Sequence, residues 1–106
     1  MNIQIHARNV QLTRELHDLA TQRLTRALSR FAHRIGRITV RLYDTNGPKG
    51  GVDVDALVLV ELRQGTRLVV RGAYASPHAA IAGIAERVRQ SVLRVHDRLV
   101  TTHQVA

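Results

Sequence analysis

Arg87, Arg94 and Arg98 stand seven and four residues apart. At about 100° per residue, that spacing puts all three on one narrow stripe of a helix. A row of guanidinium groups suits a phosphate backbone, because each planar fork can grip phosphate oxygens with two hydrogen bonds. Arg26 and Arg30 form a second set four residues apart, and Arg23 lies near them. The other reading of both sets is a solvated helix face. Balance favours the phosphate reading: the last helix sets four arginines against two acids, Glu86 and Asp97.

The other reactive side chains form no comparable pattern. The histidines are His6, His17, His33, His78, His96 and His103. None has the HExxH-type spacing of a metal site, and none sits in a constellation for acid–base catalysis. Asp53 and Asp55 share a strand face. A metal pair needs more ligands than these, and Arg67 or Arg71 opposite them is the simpler expectation. The run from Asn46 to Gly51 is rich in Gly and Pro. It lacks the strand-to-helix setting of a phosphate loop and reads as a hairpin connection. Lys49, at its tip, is the only lysine and a further candidate contact.

These residues need a scaffold, and the hydrophobic pattern supplies one. Met1 to Arg8 alternates as a strand, with Ile3 and Ile5 on one face. Leu12 to Phe31 has helical spacing through Leu12, Leu16, Leu19, Ala20, Leu24, Ala27 and Phe31. Arg23 falls at the edge of that stripe, its stem expected to pack while its head reaches water. Thr13 and Asn9 are both candidate N-caps. Ala32 to Gly36 reads as a connection.

Arg37 to Asp44, Val52 to Leu62 and Thr66 to Tyr74 alternate as three further strands. Gln64-Gly65 is a tight turn. Ser76 caps a second helix with Pro77 at its first position. That helix buries Ile81, Ile84, Ala85, Val88, Val92, Val95 and Leu99.

The order β-α-β-β-β-α predicts an α+β fold, a four-stranded sheet with both helices packed on one face, like a double-stranded-RNA-binding domain. The opposite face should mix charge, with weak Arg–carboxylate pairs. Helices packed side by side would merge their basic flanks into one groove or ridge.

Composition narrows the function. The chain has 106 residues, one domain's worth, read as residues 1–100 with a short frayed tail at 101–106. It has no cysteine, which excludes disulfides, thiolate zinc sites and cysteine nucleophiles and fits a reducing cytoplasm. The opening residues alternate like a strand and are no signal peptide. No apolar run reaches membrane-spanning length. Sixteen Lys and Arg against eight Asp and Glu leave a net charge of +8, which favours a polyanionic partner. Only Phe31, Tyr43 and Tyr74 are aromatic, so RNA recognition should run through phosphate and shape.

Three blocks carry a resemblance: the opening MNIQIHARNVQLT, the stretch RFAHRIGRITVRLYDTNGPKGG, and YASPHAAIAGIAERVRQSVLRVHDRL. Together they span Met1 to Leu99. In that order the chain resembles the ribosome hibernation-promoting factor family, also called the ribosome-associated inhibitor or ribosomal subunit interface family, in its short form. The resemblance implies a cytoplasmic, non-enzymatic factor with no cofactor, no metal and no small-molecule substrate. It implies binding to the small ribosomal subunit and its rRNA near the decoding site. There it would block mRNA and tRNA and inhibit translation under stress.

By position, the resemblance points to Arg23, Arg26 and Arg30 in the first helix and Arg87, Arg94 and Arg98 in the second. Where many members carry a tyrosine before the Ala-Ile pair, this chain has His78 or Ala79. Ala82 replaces the carboxylate or Asn that follows. The long forms' C-terminal domain is not in this sequence, so the chain is not expected to pair ribosomes by its own contacts. It should be a monomer off the ribosome. Two other readings stay open: a generic RNA-binding module that reads shape, and a protein-interaction regulator of transcription.

Overall fold

The computed structural model describes residues 1–45 and 53–105, with side chains as far as Arg98. The expected element order is present. Strand β1 (Asn2–Arg8) leads to helix α1 (Arg14–Leu28). Strands β2 (Ile35–Asp44), β3 (Val54–Leu62) and β4 (Arg67–Tyr74) precede helix α2 (Pro77–Val105). The four strands form one sheet in chain order. β2, β3 and β4 pair antiparallel, while β1 runs parallel to β2. A parallel neighbour needs a crossover connection, and α1 supplies it.

Thr13, not Asn9, caps α1. Its hydroxyl accepts the Leu16 amide at 3.1 Å. Asn9 instead takes a left-handed turn, φ 58°, which its short polar side chain tolerates. The buried row is Leu16, Ala20, Leu24 and Leu28, one residue every fourth position. Leu28 is fully buried although the expected stripe omitted it, whereas Leu12, Leu19 and Ala27 are only half-buried. After Leu28 the chain tightens into 3-10 turns over Ser29–Arg34. These turns carry Phe31 into the core and let β2 begin at Ile35 rather than Arg37, with Ile35 itself buried.

The β3–β4 connection is a three-residue loop rather than a two-residue turn. The Leu62 amide donates to the Thr66 carbonyl at 2.8 Å, and the Gly65 amide to the Leu62 carbonyl at 2.9 Å. Gly65 closes the loop at φ 106°, a conformation that favours glycine. The loop that contains Lys49, and Val52 beyond it, lie outside the described residues.

Ser76 caps α2, its hydroxyl accepting the Ala79 amide at 3.1 Å. Ala80, Ile81, Ile84, Ala85, Val88 and Val92 are buried, and Val95 is half-buried. Backbone helix continues past Leu99 to Val105, through the stretch read from sequence as a tail. Among the described residues, every buried side chain in the core is apolar.

Candidate nucleic-acid interface

Two glycines and a tyrosine fix where α2 lies. The Tyr74 ring packs against Gly72 of β4 and Gly83 of α2. A Cβ at Gly72 would sit 2.5 Å from the Tyr74 hydroxyl oxygen, and one at Gly83 would clash with the ring. The small residues therefore let helix and edge strand close on the ring.

One turn further along α2, the Arg87 Nη1 donates to the Arg71 carbonyl oxygen of β4 at 2.6 Å. β4 is an edge strand, whose outward backbone groups have no strand partner. Arg87 thus covers an open edge and is held in one place. Beside it, a groove of about 300 Å3 is lined by Arg71, Arg87, Gln90, Ser91 and Arg94. Arg98 follows Arg94 on the same flank, also exposed.

Arg89 does not join this flank. It donates to Glu86 through Nε at 3.0 Å and Nη2 at 2.6 Å. These hydrogen bonds hold the Glu86 carboxyl below its usual range. The remaining arginines of the helix are thereby concentrated on the β4 side.

The expected merger of helix flanks does not occur. α1 meets the opposite flank of α2, where Phe31 and His96 pack with ring centroids 5.1 Å apart. The arginine flank turns to β4 instead, because the buried stripe of α2 lies between the two flanks. Arg23, Arg26 and Arg30 are exposed on the other helix. Arg23, expected to pack its stem with its head in water, is exposed. Arg30 lies over the Phe31 ring, its guanidinium carbon 5.5 Å from the centroid. The helix arginines therefore form two surfaces.

The open face of the sheet is more basic than its sequence suggested. Arg8, Arg37, Arg41, Arg67 and Arg71 are all exposed and belong to its outward-facing rows, against Asp55, Glu61 and, just before β3 in the same row, Asp53. The expected partnering of Arg67 or Arg71 with Asp53 and Asp55 is not what the register gives. Arg67 faces Glu61 and Arg71 faces Leu57. The Arg67–Glu61 contact, at 3.8 Å with the arginine 71% exposed, is a weak pair. The alternation of β1 and β2 was legible in the sequence; their parallel pairing was not, and it puts Arg8 and Arg41 on the same face as the outward rows of β3 and β4.

Among the described residues, no three His, Cys, Asp or Glu side chains converge as metal ligands. His17 and Asp18 approach to 3.6 Å, but both are exposed neighbours on one helix. Among the described residues, no helix is long and apolar enough to cross a membrane. What the surface offers is arginine in ordered positions, suited to phosphate.

Several solved structures share this architecture, among them the two that follow. One is the N-terminal domain of Protein Y from Thermus thermophilus, with TM-score 0.74 and 24% identity over 90% of this chain and 99% of that one. The other is a ribosomal subunit interface protein from Coxiella burnetii, with TM-score 0.79 and 13% identity over 92% of this chain and 99% of that one. At such identities the likeness is one of fold. No curated protein matches the chain by sequence. The family profile of the sigma 54 modulation protein / S30EA ribosomal protein matches residues 3–100. That match takes in both helices and all four strands, and the chain belongs to this family.

Proposed function

We propose that this chain is a ribosome hibernation factor. It binds the small ribosomal subunit near the decoding site, blocks mRNA and tRNA, and slows translation under stress. It does so in the cytoplasm, as a monomer off the ribosome, by occupancy rather than by chemistry. The observation that carries the reading is the α2 flank, where Arg87 is hydrogen-bonded to β4 beside Arg94 and Arg71. Arg87, held by that bond, meets an RNA backbone with less loss of side-chain freedom, and Arg94 and Arg98 extend the row along the helix. Family membership and the names of the two similar structures support a ribosomal partner. Arg23, Arg26, Arg30 and Lys49 are secondary contacts in this reading.

The test is sedimentation of purified small subunits with wild-type chain and with Arg87→Glu/Arg94→Glu/Arg98→Glu, across a salt series. The variant should lower the slope of log affinity against log salt by about two to three. Translation inhibition should fall with binding. A folded triple variant that co-sediments with wild-type salt resistance would sink the site assignment. RNA binding without subunit association would leave the generic shape-reading module. Because the family description also names sigma 54 modulation, a pull-down with the transcription machinery belongs in the same series. Binding there, without ribosomes, would replace the proposal.

A further inference from the structure

We propose that the open sheet face binds single-stranded RNA two nucleotides at a time, with the linking phosphate between Arg41 and Arg71. In register, Arg41 of β2 faces Leu57 of β3, which faces Arg71 of β4. Adjacent strands lie about 4.8 Å apart, so the two arginines are rooted about 10 Å apart with a leucine between them. That gap suits a phosphate gripped from both sides.

Two recesses open on either side of this line, and Arg41, Leu57 and Arg71 belong to both. One, of about 480 Å3, contains Tyr43 and Asp55. The other, of about 450 Å3, contains His6, Thr39 and Val69. Each has the capacity of a small-ligand pocket. A base in each recess leaves their linking phosphate at the shared arginines. The Arg8 guanidinium carbon lies 5.7 Å from the Tyr43 ring centroid, and the ring, 38% exposed, offers its remaining surface to one base. Asp55 beside it is exposed and can accept from exocyclic amino groups. The second recess presents Val69, 57% exposed, as an apolar wall. With one aromatic on the face, the arginines supply most of the affinity.

Charge selects the occupant. Five arginines against three carboxylates, Asp53, Asp55 and Glu61, leave this face net positive, which disfavours a second copy of it. An acidic peptide would meet the arginines but leave the Tyr43 recess without a planar group to fill it. RNA supplies both the anion and the plane. The site lies on the opposite side of the sheet from the helices, although the Arg71 backbone also holds Arg87. It shares Val69 and Arg71 of β4 with the helix-flank groove, so Tyr43→Ala, which lies off that groove, and a short oligonucleotide with no ribosome present separate the two readings.

The experiment is fluorescence anisotropy with a labelled six-nucleotide RNA of mixed sequence at low salt. Arg41→Gln/Arg71→Gln should weaken binding about tenfold or more, and Tyr43→Ala about five- to tenfold. Arg14→Gln, exposed on α1 and outside both basic surfaces, should change it less than about twofold. Wild-type affinity in the arginine pair, or an equal loss in Arg14→Gln, overturns the proposal. So does an unchanged Tyr43→Ala. Equal displacement by polyglutamate of the same length would make the face an acidic-peptide site. A concentration-dependent dimer in light scattering, lost in the arginine pair, would make it a self-association surface. Photo-crosslinking of wild-type protein to a 4-thiouridine oligonucleotide needs no variant to fold, and its adducts must map to the sheet face.

Discussion

Residues next to one another in the same strands build two faces with opposite properties. On the covered face, Ile38, Val40, Leu42, Val58 and Val60 are at most 1% exposed. On the open face their sequence neighbours include Arg37, Arg41, Leu57 and Leu59, which are exposed or half-buried. The covered face is held by packing against both helices and tolerates no charge. The open face is held by the sheet's own hydrogen bonds, so its side chains are free to vary with function. Buried and solvent-facing rows are thus separated by a single residue step along each strand.

The sharpest way to break that separation is to truncate each face in turn. Ile38→Ala leaves a cavity beneath both helices and should cost about 2–5 kcal/mol. Val69→Ala on the open face should stay within about 0.5 kcal/mol. Urea unfolding of the two variants measures both. A comparable cost would mean that the open face packs against something and is not a free surface.

A smaller effect tests how the covered face meets its helix. Glycine inside a helix normally gives way to alanine with a gain of about 1 kcal/mol. At Gly83 the added methyl meets the Tyr74 ring. Gly83→Ala should therefore destabilise, by about 1–3 kcal/mol, as overpacked sites do. A stabilised variant would show that the ring moves aside and does not set the position of α2.

The smallest effect separates two arginines on one helix flank. Arg87 donates to the Arg71 carbonyl, so Arg87→Ala should cost about 1 kcal/mol. Arg94→Ala should fall within about 0.5 kcal/mol. Both should weaken RNA binding. Equal thermal melting of the two variants would remove the structural role given to Arg87.

Alternation and capping made most of the scaffold readable beforehand. Ser76-Pro77 marked the start of α2 because a hydroxyl cap and a residue without an amide hydrogen both suit a helix N-terminus. The end of α1 was harder to read. Phe31 fits helical spacing, but the tighter 3-10 turns after Leu28 bring it inward at a different angle. The helical stripe of Arg87, Arg94 and Arg98 was legible from spacing, because spacing fixes the angle around a helix axis. Which neighbour that stripe would face was not legible, since spacing carries no information on how the helix is turned against the sheet.

By itself, the sequence determined the elements, their order, the buried side of each and the surplus of positive charge, all properties of local periodicity and composition. Tertiary structure decided what lies beside what. The parallel pairing of β1 with β2 put arginines that are 33 positions apart in the chain, Arg8 and Arg41, on one sheet face, with Arg8 opposite Tyr43 and Arg41 opposite His6. Close contact at Gly83 and Tyr74 set α2 against β4 and gave Arg87 a backbone partner. Such neighbours are brought together by long-range packing, and packing depends on shapes meeting across the core rather than on any single stretch of chain.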